Sequence, residues 1–248
     1  GWPNAFNVST GKANFDRIMR VSAQLNNKIS PYVSLQSLNP ETLRIVKRKN
    51  IPIDLYLKVQ KEIQELGQQA IAELIVPLPG ETKASFFKGM RKLINSGLEK
   101  INVYTTMILK GTEMASKEWK NKYGMKTKWR ILPRQFGEYC GEKVFEVEEV
   151  CIATNTMPFN DYLECRGLTL VSQLYMSEQY DVIRKHLNEL EINAYDFIYY
   201  CWEMIKCGES ELSETYDRFI SETMDELWDS KEALENYFSK QENYEMLL

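Results

Sequence analysis

The 248 residues are 44% hydrophobic and 27% charged, with a net charge of −4, the composition of a folded soluble chain rather than a disordered one. No apolar run approaches the roughly 18 residues that a membrane span needs, no signal peptide is recognisable at the start, and the basic residues are not clustered with aromatics as in a nucleic-acid footprint. Five cysteines (Cys140, Cys151, Cys165, Cys201 and Cys207) are scattered in odd number, which fits a reducing cytoplasm better than secretion. None of their intervals matches a zinc ribbon or an iron–sulfur run, so no metal ligands are expected in this chain.

In chain order, Ala5–Thr10 reads as a first strand, followed by a helix from Asn14 in which Phe15, Ile18 and Leu25 share a face. Tyr32–Leu38 is a second strand candidate. Leu55, Val59, Ile63 and Leu66 recur at helical spacing, with Asp54 as N-cap and Gly67 as stop. Ile71–Leu78 is apolar enough for a strand covered on both faces. Phe86, Met90, Leu93 and Ile94 mark the next helix, ended by Gly97, and Ile101–Leu109 is another buried-type strand. Four βα units in this rhythm predict an α/β fold class with parallel pairing and right-handed crossovers, left as an incomplete layer over residues 1–117.

Residues 118–156 are expected to be a connection with short β segments. The polar stretch Met114–Tyr123 suggests a short helix, Ile131–Arg134 a link, and Lys143–Ala153 one or two strands. Residues 157–248 read as a helical region, with Pro158 suited to a first turn. Ser213 and Ser230 are the expected N-caps, and Tyr216, Ile220, Met224 and Leu227 form an apolar stripe. The last forty residues carry a net −9 and the rest of the chain +5, a pattern that a solvated helical face explains.

Parallel α/β folds place function at the carboxyl ends of their strands. There the chain has Ser34-Leu35-Gln36-Ser37-Leu38, then Val76-Pro77-Leu78-Pro79-Gly80-Glu81-Thr82, then Tyr104-Thr105-Thr106 leading to Gly111-Thr112. Ser34 and Gln36 alternate with Val33 and Leu35 and so share a face. Short polar groups there suit hydroxyl or carboxylate recognition, or else bond to neighbouring backbone. The Pro79–Thr82 turn starts the next helix, with Thr82 or Glu81 capping it. Tyr104 and Thr106 face either substrate or core, and Asn7, Ser9 and Lys12 close the first strand. His186, the sole histidine, reads as a surface or core residue, and neither a Ser–His–acid set nor a phosphate-binding glycine loop occurs.

These strand ends, taken in order ("SLQS", the following leucine and arginine, "LPGET" and the later "GT"), resemble the radical S-adenosylmethionine superfamily, in particular members with an N-terminal cobalamin-binding domain. The stretch Thr154–Leu168 also looks like the segment that follows the barrel in those proteins, so the resemblance covers about residues 1–175. It implies a partial (β/α) barrel of about four parallel strands, with Ser34, Gln36, Ser37, Val76, Pro77 and Leu78 at the cofactor and Tyr104 and Thr106 at the substrate. Two departures are visible: Pro77 stands where the family usually has glycine, and Lys110 where it has proline. The resemblance implies a [4Fe–4S] cluster, S-adenosylmethionine and cobalamin as cofactors of the parent enzyme, with an unknown small-molecule substrate. The CxxxCxxC ligand motif is absent here. Together with a first residue that is Gly1, this predicts a fragment without its cluster, inactive alone. The alternatives are a cluster-less binding or scaffold protein of the same origin, and an unrelated α/β transferase or dehydrogenase. Loss of preceding strands would leave Ala5–Thr10 as an open edge, to be covered by a homodimer contact or by the C-terminal helices.

Overall fold

The apolar period alternates between two and about four along the chain, and the elements in the computed structural model follow that rhythm. The structure describes residues 15–25, 34–65, 67 and 71–247. In chain order these form α1 (Phe15–Gln24), α2 (Pro40–Ile45), α3 (Ile53–Glu65), β1 (Ile71–Val76), α4 (Lys83–Ile94), β2 (Lys100–Thr105), α5 (Lys117–Lys122), β3 (Lys126–Tyr139), β4 (Glu142–Ala153) and α6 (Phe159–Tyr175). Then come α7 (Asp181–Glu189), α8 (Ala194–Cys207), α9 (Glu211–Asp225), α10 (Lys231–Phe238) and α11 (Gln241–Tyr244). The architecture is mixed α/β: among the described residues β1 and β2 pair in parallel, β3 and β4 pair antiparallel, and no sheet is curled or closed. Ala5–Thr10, with Asn7, Ser9, Lys12 and the edge on which a dimer was expected, lies outside the described residues. No helix among those described is long and apolar enough to cross a membrane.

Two compact units interleave along the chain. The first takes residues 1–75, 83–104 and 168–204. Its sheet is β1 and β2 extended by the segment 34–38, which joins β1 in parallel through one bridge, Gln36 to Leu74. One face of this sheet is closed: Leu35, Ala72, Leu74, Ile101 and Val103 are all buried. Apolar residues of the helices are buried with them, Tyr56, Val59 and Ile63 from α3 and Phe86, Met90 and Leu93 from α4. The Tyr56 hydroxyl donates to the Ile71 carbonyl at 3.1 Å. On its other side α4 meets α8, where Phe87 lies edge-on to Trp202 with ring centroids 5.6 Å apart and Arg91 reaches Asp196 at 2.8 Å.

Several sequence expectations shift here. β1 alternates buried and half-buried residues, so it is covered on one face, not two. In α3 the buried stripe runs through Tyr56, Val59, Gln60 and Ile63 while Leu55 is 47% exposed; the polar Gln60 within that stripe concealed the true face. Asp54 sits inside the first turn rather than at its cap. Gly67 and Gly97, at φ +70° and +78°, follow α3 and α4 as expected of glycine stops.

The second unit takes residues 76–82, 105–167 and 205–248. Its centre is the β3–β4 hairpin, turned by Cys140 and Gly141 at φ +54° and +79°, the positive-φ pair of a two-residue hairpin turn. Ile131–Arg134 belongs to β3 rather than to a link: the register shifts between Ile131 and Phe136, and Arg134 takes φ +63°. Pro133 is accommodated in that irregularity, where a missing ladder donor does little harm. The Trp129 and Trp228 backbones exchange hydrogen bonds of 2.8 and 2.7 Å. Trp228, Tyr237, Phe238, Phe145 and Tyr244 then pack as one aromatic cluster. The acidic C-terminal region is therefore anchored by apolar contacts, to which Glu226 adds an ion pair with Arg130. Ser230 caps α10 as expected, whereas α9 is capped by Ser210, and Ser213 lies buried one turn further on.

Candidate functional site

Within the first unit, the face of the sheet opposite α3 and α4 is the more open of the two among the described residues. Ser34, Gln36, Glu73, Ile75 and Asn102 are half-buried and Tyr104 is 50% exposed. The alternation dictates this: Leu35, Leu74 and Val103 turn to the core, and their neighbours turn away. Ser34 and Gln36 thus share a face, and neither side chain makes a hydrogen bond among the described residues.

Gln36 is the conformational outlier of this face. Its φ is +66°, and the Ser37 N–H donates to the Leu35 carbonyl at 2.8 Å. A positive φ under an i to i+2 hydrogen bond is the rare, strained form of the γ-turn. The turn persists because both backbone groups of Gln36 are tied to β1: its N–H donates to the Glu73 carbonyl at 2.9 Å and its carbonyl accepts from the Ile75 N–H at 2.8 Å. Such strain, typically about 1–3 kcal/mol, gathers at ligand sites.

Ser37 is placed differently. It is buried, and its hydroxyl accepts from the Asn39 N–H at 2.9 Å. Asn39 in turn caps α2, accepting from the Glu41 N–H at 3.0 Å, so Ser37 begins the turn into that helix.

In the second unit, Val76, Pro77 and Leu78 are all buried, and the Val76–Pro77 peptide is cis. Leu78 to Glu81 form a turn closed by a 3.0 Å hydrogen bond, with Pro79 first and Gly80 second in the middle at φ +84°. This is the type II turn that a Pro-Gly pair favours. Thr106 holds the segment: its N–H donates to the Val76 carbonyl at 3.0 Å and its hydroxyl to the Pro77 carbonyl at 2.7 Å. Thr106 is 2% exposed, so its hydroxyl positions backbone. Nearby in sequence, the Thr105 hydroxyl bonds the Tyr162 hydroxyl at 2.9 Å, and burial pushes the Tyr162 phenol upward from its ordinary value.

Ion pairs close the remainder of this unit. Arg130 bonds Glu148 at 2.7 Å and Glu226 at 2.8 Å. Burial disfavours its charge, but the two carboxylates outweigh burial and raise its pKa. Glu149 accepts from Lys120 and Thr127, both at 2.5 Å. None of these residues stood out in the sequence; the pairing of β3 with β4 sets Arg130 opposite Glu148, and Lys120 of α5 and Glu226 at the end of α9 come from elsewhere in the chain.

Among the described residues no three His, Cys, Asp or Glu side chains gather as metal ligands. The cysteines are apart in kind as well: Cys140 and Cys207 are exposed, Cys165 is buried, and burial pushes the Cys151 thiol up to about 12, the reverse of what thiolate ligation needs. His186 is exposed and paired with Glu189 at 3.1 Å.

No family model matches the chain. It is 30% identical over 170 residues to the cobalamin-dependent radical SAM methyltransferase TokK of Streptomyces tokunonensis, which covers 66% of this chain and 24% of that protein. It is 28% identical over 179 residues to a 2-(S-pantetheinyl)-carbapenam-3-carboxylate methyltransferase of Streptantibioticus cattleyicolor, covering 70% and 26%. An uncharacterized protein of Methanocaldococcus jannaschii is 26% identical over 91 residues, covering 37% and 28%. The chain therefore spans about a quarter of the length of the curated relatives it matches, and its established kinship is a distant, partial similarity to cobalamin-dependent radical SAM methyltransferases.

Proposed function

We propose that this chain is part of a radical S-adenosylmethionine enzyme of the cobalamin-dependent methyltransferase kind, and that the open sheet face carrying Ser34 and Gln36 serves the adenosyl cofactor. The reading is carried by one observation: the parallel bridge from Gln36 to Leu74 leaves two unpartnered polar side chains on an accessible face at a strand end. Ligands of parallel α/β folds sit at such ends. In this reading the segment 34–38, β1 and β2 are an arc of a (β/α) barrel, and the protein is cytoplasmic.

The residues present fit S-adenosylmethionine and do not fit the cluster. The Ser34 hydroxyl and Gln36 carboxamide can both donate and accept, as ribose hydroxyls and an amino-acid head group require. Ser37 and Thr106 fix the backbone around 36 and 77, and Tyr104 offers an exposed ring toward substrate. Bound S-adenosylmethionine supplies a methyl group or, on one-electron reduction, a 5′-deoxyadenosyl radical. The described cysteines match no cluster ligand set, so no step is assigned to them. That same mismatch favours a second reading, a cluster-less binding protein of this origin.

The gene sequence preceding Gly1 separates the two readings: a CxxxCxxC motif in frame supports the enzyme. The longer protein, reconstituted anaerobically with iron, sulfide and reductant, should then release 5′-deoxyadenosine. Gln36→Ala should lower that release at least tenfold at unchanged iron content. Equal release by the variant would overturn the assignment of this face.

A further inference from the structure

A cavity of about 490 Å³ opens in the first unit on the core side of the same strand end, within the size range of small-molecule sites. Leu35, Leu38, Leu43, Ile51 and Ile53 supply its apolar lining, and Gly89 keeps the α4 wall low. A Cβ at Gly89 would lie 3.6 Å from the Leu38 Cβ, in ordinary van der Waals contact, so the α4 wall stands about one methyl group away from the strand end.

Two polar features give the cavity a chemical preference. The Asn50 side chain donates through Nδ2 to the Ser37 carbonyl at 2.8 Å, while its Oδ1 is shut off from solvent with no hydrogen-bond partner. An orphaned acceptor of this kind is unfavourable and calls for a donor. Lys88 and Lys92, one turn apart on α4, also line the cavity, and among the described residues neither has an acidic partner. The lining thus combines an apolar floor, one acceptor in want of a donor and two uncompensated positive charges.

We propose that this cavity binds a small amphipathic anion, apolar in its body and bearing a carboxylate or sulfonate and one N–H or O–H donor. The acidic group lies at Lys88 and Lys92, the apolar body on Leu38 and Leu43, and the donor at Asn50 Oδ1. Because Asn50 also grips the Ser37 carbonyl, the ligand rests against the backbone segment whose opposite side presents Gln36. The site is separate from the open sheet face and does not depend on the function proposed for it.

The test uses 8-anilinonaphthalene-1-sulfonate, which has the required anion, N–H and apolar rings, and N-phenyl-1-naphthylamine, its relative without the sulfonate. Fluorescence titration of the chain should show one saturable sulfonate-probe site, with the neutral probe at least tenfold weaker. The exposed pair Lys88→Glu and Lys92→Glu should weaken the anionic probe at least tenfold and leave the neutral probe within about twofold. Leu38→Trp, which fills the cavity, should abolish both, and the lysine variant keeps the test decisive if Leu38→Trp does not fold. Equal affinity for both probes, or an anionic affinity untouched by the lysine changes, would overturn the proposal. So would binding that vanishes as the chain self-associates at higher concentration, since a second copy would then be the occupant.

Discussion

The open sheet of the first unit and the hairpin of the second treat their polar groups in opposite ways. At the hairpin, Arg130 is paired with Glu148 and Glu226, and Lys120 with Glu149, with the side chain of Glu148 only 5% exposed. On the open sheet, Ser34 and Gln36 are half-buried with no side-chain partner among the described residues, and Gln36 adds an unfavourable backbone conformation. Paired buried charge fixes a unique packing, whereas unpaired polar groups on a strained strand end are ready for something else to bind. The difference teaches where stability and where recognition reside in this molecule.

The largest effect should come from breaking the hairpin's network. Arg130→Met leaves Glu148 buried without its cation, and removal of one partner from such a pair typically costs about 3–5 kcal/mol. Denaturant unfolding should show that loss, with partial recovery when Glu148→Gln is added; an unchanged midpoint would mean the pair is irrelevant to stability. A somewhat smaller effect is expected from alkali. The Cys151 thiol is held at about 12 when folded, against an ordinary value of 9.0. Above pH 9 the unfolded chain therefore loses a proton that the folded chain retains. Stability is full below pH 9 and falls as pH rises toward 12, by about 2 kcal/mol at pH 10.5. The thermal midpoint of Cys151→Val should decline less steeply over that range than that of the parent, and parallel declines would contradict the burial argument.

Smaller still are changes on the open sheet. Gln36→Gly relieves the positive φ, worth about 1–2 kcal/mol, against an entropic cost of roughly 0.5–1 kcal/mol, so stability should hold or rise by up to about 1.5 kcal/mol. Ser34→Ala, with no bond to lose, should stay within about 0.5 kcal/mol. Measurable destabilisation by either would show that this face is built for stability after all.

The period of α4 and the glycine stops after α3 and α4 were legible because each depends on local spacing, whereas the one-sided burial of β1 was masked by its apolar composition. Ser34 and Gln36 were placed on one face from alternation alone, and the Ser230 cap from its residue type. The γ-turn at Gln36 was not legible: it exists because both of its backbone groups are captured by β1, a partner some forty residues away. The extent of β3 was hidden for a related reason, since Pro133 and a register shift interrupt the alternation that marks a strand. The stripe assigned to Tyr216, Ile220, Met224 and Leu227 was turned by one residue. In the structure Ser213, Tyr216 and Thr223 are buried and Met224 is 41% exposed, because α9 buries small hydroxyl residues where hydropathy points to methionine. The role of Thr106 was equally hidden, since nothing local announces that its hydroxyl will meet the Pro77 carbonyl.

The most direct test of the central claim is amide mapping of the isotope-labelled chain by nuclear magnetic resonance during titration with S-adenosylmethionine. The account predicts saturable shifts at Gln36, Ser37, Ile75 and Tyr104, reduced when Gln36 is replaced by alanine. Shifts confined to the hairpin or to the lysine-lined cavity, or none at millimolar ligand, would contradict it.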